Sequence, residues 1–235
     1  MLRIPQSCIH TRSTPFWNKE TAPASIFKRH LDTGTRPGVY PRLSVMRGAV
    51  RYLGYADEFT PEPDSELVIE AGRFGVFPPE RWHHIEVMTD DTLFNIEFFV
   101  EPDVHKTLSG NANNHNTNKN VKTEKKLHTH STPFWNKETA PKALFTHHNT
   151  KAGVYGRLSV MQGAVRYFGF ADGDATEPDL EVVIDAGAFG ISPPQKWHRI
   201  ELLTDDTYFN IDFFADPAVT LSGAGIGKVV NTHKE

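Results

Sequence analysis

The stretch Gly38-Val-Tyr-Pro-Arg-Leu-Ser-Val-Met-Arg-Gly-Ala-Val-Arg-Tyr52 recurs with two changes as residues 153–167, 115 positions later. Within it, residues 42–46 alternate in polarity, Arg47-Gly48 is typical of a turn, and residues 49–55 continue as a returning strand. The stretch therefore predicts a β-hairpin. A period of this length indicates a duplicated domain, because solenoid units are only about 20–45 residues long.

The repeat extends in both directions from this hairpin. Residues 13–23 recur unchanged as residues 131–141, at an offset of 118. The offset then falls to 115, because the turn that follows Phe27 is three residues shorter in the second copy. Residues 78–83 match residues 193–198 at the smaller offset.

Each copy also contains further short apolar runs, which glycine and proline turns separate. In the first copy they are residues 67–69, 74–77, 82–88 and 93–99. No helical periodicity accompanies them. Many short strands of this kind predict an all-β sandwich or jelly-roll barrel.

The composition changes sharply between the two copies. Residues 105–126 are rich in Asn, Thr, Lys and Ser and nearly lack apolar residues, so they cannot bury enough surface to offset the entropy of ordering. We therefore predict a domain at 1–104, a flexible linker at 105–126, a second domain at 127–220 and a flexible tail at 221–235.

The overall charge argues against polyanionic partners. The net charge is −4 and the pI about 6.3, which gives no basic surface for nucleic acid or for an anionic membrane. No stretch approaches the roughly 18 apolar residues that span a bilayer, and residues 1–11 lack the apolar segment of a secretory signal. We therefore expect a cytoplasmic protein.

Three motifs carry a resemblance to a known family. They are residues 14–23, residues 148–153 and the run Pro78-Pro-Glu-Arg-Trp-His-His-Ile-Glu86. Together they resemble the small cupin family of the tellurite-resistance TehB N-terminal domain and the YeaR-type proteins, over nearly all of residues 1–110 and again over 127–217. The resemblance implies two tandem cupin barrels, also described as jelly rolls or double-stranded β-helices.

Two departures from the wider cupin pattern limit what the resemblance implies. The first cupin motif places two histidines and a glutamate shortly before the hairpin glycine, but Pro41 stands at the glutamate position and residues 40–46 contain no histidine. The usual three-histidine metal site is therefore absent. Long TehB proteins also have a methyltransferase domain, which has no counterpart in this sequence, so methyl transfer is not expected.

A different metal site remains a hypothesis. A site for Zn, Fe or Ni needs about three nitrogen or oxygen ligands. The candidates are one set per copy: His30, His83 and Glu86 in the first, and His148, His198 and Glu201 in the second. Glu97 and Asp212 are reserve carboxylates.

Strand geometry weakens this hypothesis. His83 and Glu86 are three residues apart, so a regular strand would direct them to opposite faces, and a bulge would be needed to bring them together. In the alternative interpretation, His83 is a hydrogen-bonded core residue beside Trp82. Glu86 is then a solvated partner of Arg81 or Arg42.

A second candidate site pairs an arginine with a tryptophan in each copy. Arg42 with Trp82, and Arg157 with Trp197, are candidates to line a pocket for a small anion, since a guanidinium binds oxyanions through paired donors. The alternative is that each arginine forms a surface salt bridge.

Three functions remain open from the sequence. The first is a protein that binds a metal or small molecule, with a link to stress from toxic oxyanions such as tellurite or from nitrate and nitric oxide that comes from the family association. The second is a metal-dependent enzyme of the dioxygenase or isomerase type, and the third is a structural protein. We also expect the copies to pair as an intramolecular pseudo-dimer, because a linker of about 20 flexible residues has sufficient reach and holds them at roughly millimolar effective concentration.

Overall fold

A computed structural model describes residues 2–30, 36–110 and 128–215. Each copy consists of two antiparallel sheets, one of four strands and one of three. The prediction of two tandem all-β jelly-roll domains of the cupin type is therefore confirmed. Most of the predicted linker and the whole predicted tail lie outside the described residues, so the domain boundaries stay predictions.

The first copy contains seven strands. They are β1 (Ile9–Ser13), β2 (Val39–Arg47), β3 (Ala49–Tyr55), β4 (Ser65–Glu70), β5 (Arg73–Val76), β6 (Trp82–Val87) and β7 (Leu93–Val100). The larger sheet has the order β1-β7-β2-β5, and the smaller has the order β4-β3-β6. Gly48, with a φ of +66°, makes the predicted turn between β2 and β3. The predicted hairpin is wrong, however, because β2 pairs with β5 and β7 whereas β3 pairs with β4 and β6, so the turn joins strands of two different sheets.

The second copy repeats this arrangement. Its strands are β8 (His128–Ser131), β9 (Val154–Gln162), β10 (Ala164–Phe170), β11 (Leu180–Asp185), β12 (Phe189–Ser192), β13 (Trp197–Leu202) and β14 (Tyr208–Ala215). The sheets have the orders β12-β9-β14-β8 and β11-β10-β13. Short 3₁₀ turns at Ala24–Phe27 and Lys142–Phe145 precede the second strand of each copy's larger sheet.

A short helix replaces the start of the predicted linker. The helix α1 (Pro102–Gly110) includes residues 105–110, which the sequence assigns to a flexible segment. Val104 packs against the buried cluster of Val39, Phe98 and Val100, and Asp103 lies in the first turn, where a negative charge is favourable. This packing holds the start of the helix, at Val104, against the first domain. No helix in the described part of the chain is long and apolar enough to cross a membrane.

The two faces of β2 serve different cores. Leu43 and Val45 point into the barrel of the first copy, where they join Val50 and Ile85. Because strand side chains alternate, the intervening residues point away from this barrel. In an isolated sheet that outer face would be in water, but here the second copy covers it.

Side chains from both copies form one apolar cluster at this covered face. Its buried members are Ile4, Cys8, Met46, Phe74, Val76 and Phe99 from the first copy and Phe134, Met161, Phe189, Ile191 and Phe214 from the second. Backbone hydrogen bonds also cross between the copies, from Phe74 N to Gly187 O at 3.1 Å and from Phe189 N to Gly72 O at 3.0 Å.

A buried network of charged side chains lies beside the apolar cluster. Arg42 binds Glu97 of its own copy at 2.9 Å and Asp212 of the other copy at 2.6 Å, and Arg157 binds both of these carboxylates. All four side chains are fully buried. Two cations thus meet two anions, and the side-chain oxygens of Asn210 and Asn95 accept a further bond from Arg42 and Arg157, respectively.

Burial and charge act on these groups in opposite directions. Burial lowers the pKa of Arg157 to about 10, although Asp212 opposes the shift. Burial alone would raise the pKa of Asp212, but Arg42 and Arg157 outweigh burial and hold it below its usual value. Arg157 and Asp212 therefore stay charged near neutral pH, and each depends on its partners.

Removing one member of the network is expected to destabilise the protein strongly. Arg42→Met leaves Glu97 and Asp212 buried with one cation between them, which costs about 3–5 kcal/mol of unfolding free energy. The control is Arg51→Met, which removes an exposed pair with Glu66 and costs at most about 1 kcal/mol. Urea unfolding measures the free energy of unfolding of both variants. An equally small decrease in the two variants would show that the buried network does not stabilise the protein strongly.

The pseudo-dimer is tested by cutting the chain between the copies. We expect the two halves to elute together on a sizing column after cleavage at a protease site inserted within residues 111–127, because separation would expose the shared apolar cluster and unpair the charges. Immediate separation of the halves would show that the tether alone holds them together.

Acid is expected to weaken the fold through a pair of histidines between the copies. The rings of His10 and His128 lie 4.6 Å apart, and burial, with the His128 charge, lowers the pKa of His10 to about 4. An unfolded chain binds this proton near pH 6.5, so stability is lost as the pH falls from about 6.5 to about 4. Thermal unfolding across this range should show a smaller slope for His10→Gln, and an unchanged slope would assign the effect to other groups.

Candidate functional site

A pair of histidines lies at one end of each barrel. His83, at the start of β6, exchanges two backbone hydrogen bonds with His30, of 2.9 and 3.0 Å, and the ring centroids are 4.5 Å apart. In the second copy His148 and His198 form the same bridge, with centroids 4.2 Å apart. The structure therefore brings together the two histidines that the sequence proposes for each copy.

A strained turn positions the second histidine of each pair. Glu80 and Gln195, which follow the paired prolines, have φ values of 55° and 60°. Non-glycine residues adopt this left-handed conformation infrequently and at some energetic cost, often close to functional sites. The turn ends just before β6 and β13, so it fixes where His83 and His198 enter the barrel.

Backbone carbonyls fix the orientation of the imidazole rings. In the second copy, His148 Nδ1 lies 2.9 Å from Thr146 O and His198 Nδ1 lies 2.7 Å from Lys196 O. A carbonyl only accepts hydrogen bonds, so each Nδ1 carries a proton. In the neutral form of such a ring, Nε2 is the unprotonated nitrogen. His30 and His83 make the equivalent Nδ1 contacts, each at 2.7 Å.

The buried histidine of the second copy is uncharged at neutral pH. Burial, followed by the neighbouring His148, lowers the pKa of His198 to about 4. Ser192 Oγ lies 3.2 Å from His198 Nδ1 and 3.1 Å from the hydroxyl of Tyr167. The end of the barrel is thus polar but carries no net charge on these groups.

A cavity of about 360 Å³ opens beside this histidine pair in the second copy. Its walls are mainly apolar and include Leu144, Val154, Leu158, Ile200, Ile211 and Phe213. His148, Tyr167, Ser192 and His198 supply polar groups, and the exposed Lys151 is also a lining residue. The volume is at the lower end of the range for small-molecule sites, which is about 300–1,000 Å³.

The equivalent space in the first copy is nearly filled. Only about 30 Å³ remains beside His30 and His83, which is room for water but not for an organic ligand. Phe77 occupies the position of Ser192 and stacks on Tyr52 with ring centroids 4.0 Å apart. Pro41 stands where the second copy has Gly156, and both Pro41 and Phe77 line the small space.

The carboxylates proposed as metal ligands do not join the histidines. Glu86 has a half-exposed side chain that pairs with Arg51 at 3.5 Å, and Glu201 is similarly exposed and pairs with Arg166 at 3.7 Å. Strand alternation directs them away from the barrel, as their spacing of three residues indicates. The reserve carboxylates Glu97 and Asp212 are in the network between the copies.

The residues present do not fit a resident metal with three protein ligands. Each barrel offers two imidazoles, and the described ranges 2–30, 36–110 and 128–215 contain no group of three His, Cys, Asp or Glu placed to hold a metal. Metal binding by the histidine pairs alone stays a prediction.

The arginines and tryptophans proposed for an anion pocket are also apart from it. Arg42 and Arg157 are fully buried and bound to carboxylates, so neither is the surface residue of the alternative interpretation. Trp82 and Trp197 are not among the described residues that line the two cavities. The arginines point outward from the barrels because β2 and β9 direct Leu43 and Leu158 inward.

Two positions that shape the cavity were not identified from the sequence. They are Gly156 and Ser192, which replace Pro41 and Phe77. Alignment of the two copies could have identified them, because the copies are so similar that the few positions at which they differ are easily found.

Comparisons with known proteins agree with the repeat. A family model described as "TehB-like domain" matches residues 12–96 and again residues 130–211. YeaR of Escherichia coli K12, described as uncharacterized, is 76% identical over 104 residues, which cover 44% of this chain and 87% of that protein.

A probable S-adenosyl-L-methionine-dependent methyltransferase, TehB of Haemophilus influenzae, is 30% identical over 83 residues, which cover 35% of this chain and 28% of TehB. A crystal structure of an E. coli K12 protein is 76% identical and covers 43% of this chain and 99% of its own, with a TM-score of 0.42. The family model alone accounts for more than half of the sequence, in two separate matches, and so this chain belongs to the TehB-like domain family and contains the domain twice.

Proposed function

We propose that this chain is a small-molecule-binding protein whose ligand enters a barrel beside the histidine pair. The observation that carries the proposal is the cavity of about 360 Å³ next to His148 and His198. A site with apolar walls and a few convergent polar groups is the usual form of a small-molecule site.

The polar end of the cavity supports this function. His198, Ser192 and Tyr167 are hydrogen-bonded in series, so their positions are fixed before any ligand arrives. A site that is already organised loses less entropy on binding. Anchoring of both imidazoles through Nδ1 leaves their Nε2 edges as the parts that can meet a ligand in the cavity.

A divalent metal is the second candidate ligand. A histidine that binds metal commonly donates its other ring nitrogen to a backbone carbonyl, as His148 and His198 do. Zn, Fe or Ni bound in this way would need further ligands from solvent or from a bound molecule, since the protein supplies two imidazoles.

The physiological setting that we propose is a response to toxic oxyanions or reactive nitrogen species, and its support is the family resemblance. The cavity argues against tellurite or nitrate as the direct ligand. An oxyanion needs several cations or hydrogen-bond donors directed at one point, whereas most of the wall is apolar, Lys151 is exposed to solvent and His198 is neutral. An organic molecule that accompanies such stress fits the site better.

Binding is tested by NMR on protein with labelled histidine side chains. We expect a phenol titration to shift the His148 and His198 signals in a saturable manner, and His198→Ala to abolish the shift at His148. The matched control is His84→Ala, since His84 faces Tyr55 outside the cavity and corresponds to Arg199. A lack of any saturable shift in the wild type would leave the structural role as the better account.

Elemental analysis separates the two candidate ligands. If a metal occupies the pairs, protein grown with iron, zinc and nickel should contain it, and the His83→Ala/His198→Ala variant should lose it. We expect instead that this variant differs from the wild type by about 1–3 kcal/mol of stability and not in metal content, because each histidine is buried and hydrogen-bonded. Stoichiometric metal in the wild type would make a divalent metal, and not an organic molecule, the preferred ligand.

A further inference from the structure

The two barrels differ at the positions that close or open their interiors. Phe77 is almost fully buried and packs against Tyr52 and His83, with ring centroids at 4.0 and 6.1 Å. At the equivalent place Ser192 leaves open space and bonds to Tyr167. Several other wall residues, such as Ile96 and Ile211 or Ile85 and Ile200, are the same in both copies. The walls also differ at Leu144, which replaces Ile26, and in the shorter loop after His148, which contributes Asn149, Thr150 and Lys151.

The closed barrel retains a feature of the open one. The Tyr52 hydroxyl is buried and has no hydrogen-bond partner among the described residues, whereas its equivalent in Tyr167 is bonded to Ser192. A buried hydroxyl without a partner costs about 1–3 kcal/mol. Phe77 therefore fills the core of the first copy with apolar atoms but leaves the Tyr52 hydroxyl without a hydrogen bond among the described residues.

From these differences we infer that the two copies have divided their roles. The second barrel binds the ligand through an opening that Gly156 and Ser192 create, and the first barrel, closed by Pro41 and Phe77, serves as its structural partner. The inference rests on the proposed function and assigns it to one copy. Gly156 and Ser192 thereby become the residues that determine whether a barrel admits a ligand.

The lining also specifies a class of ligand, namely a small apolar molecule that carries a hydroxyl group. Leu158, Ile200 and Ile211 favour an apolar body of about one ring. The Nδ1 contact of His198 with Lys196 O leaves its Nε2 as a hydrogen-bond acceptor, which requires a ligand proton. A carboxylate has no such proton, and most of the wall that its charge would meet is apolar, with Lys151 at the exposed edge.

The backbone permits both exchanges between the copies. A Cβ atom placed on Gly156 would meet nothing nearer than 3.7 Å, and Pro41 already occupies the equivalent position of β2 without loss of the strand. Phe77 shows that a phenyl ring fits over the tyrosine at this site. The variants G156P/S192F and P41G/F77S therefore convert each barrel toward a conformation that the chain already contains.

The test is an NMR titration of the full chain with 4-methylphenol, which follows all four barrel histidines. In the wild type we expect saturable shifts at His148 and His198 and none at His30 and His83. G156P/S192F should lose these shifts. P41G/F77S should keep them and gain shifts at His30 and His83, so that binding rises from one molecule to two.

Comparison compounds test the ligand class. Toluene lacks the hydroxyl and should bind the wild type at least about tenfold more weakly than 4-methylphenol, because His198 Nε2 loses its donor. Benzoate has the same ring and a negative charge, and it should not bind detectably. Binding of benzoate or toluene as tight as that of 4-methylphenol would overturn the assigned class.

The outcomes separate the inference from the function on which it rests. Shifts at both histidine pairs of the wild type, or persistent binding by folded G156P/S192F, would overturn the division of roles while small-molecule binding stands. If none of the three compounds shifts any histidine in the wild type or in P41G/F77S, the proposed function fails as well. Melting temperatures show whether each variant is folded. If G156P/S192F does not fold, the gain or absence of shifts at His30 and His83 in P41G/F77S decides whether the copies have divided their roles.

Discussion

The structure depends on strands that are buried on both faces. Along β2 and β9, one set of alternate residues fills a barrel, and the other set lies against the opposite copy. Arg42 and Arg157 belong to the second set, so the duplication encloses two guanidiniums and two carboxylates that an isolated copy would expose to solvent. Each charge is tolerated only because its partners are present, and the pairing of the copies is therefore part of each copy's own stability.

Burial on both faces restricts the residues between the copies more than it restricts the residues inside a barrel. Residues between the copies must match a partner, and changing one member of the charge network leaves others buried without compensation. Residues inside a barrel need only fill or leave space, provided that the other copy maintains the fold. The replacement of a ring by a hydroxyl between Phe77 and Ser192 shows such divergence, and it provides a route by which one copy of a duplicated domain becomes a scaffold for the other.

The histidine pairs show how the surroundings decide the chemistry of a side chain. A carbonyl partner holds Nδ1 of His198 protonated, and burial keeps this ring neutral, so His198 presents a nitrogen lone pair and not positive charge. Strand alternation removes Glu86 and Glu201 from the barrel and leaves the pair without a carboxylate. The second barrel is consequently suited to a hydrogen-bond donor with an apolar body, and less suited to the anion that the family resemblance suggests.

The sequence alone determined the duplication, the turn at Gly48 and the approximate positions of β2 to β7, because these follow from local repetition, polarity alternation and turn residues. It proposed Glu86 as a metal ligand beside His83 although strand spacing argued against this, and the structure places Glu86 outside the barrel, paired with Arg51. Only the tertiary structure decided that Arg42 lies between the copies, that residues 105–110 are helical and that one barrel is open. These features depend on which surface covers a strand's second face and on how much space neighbouring side chains leave, and neither quantity is encoded in the pattern of a single strand.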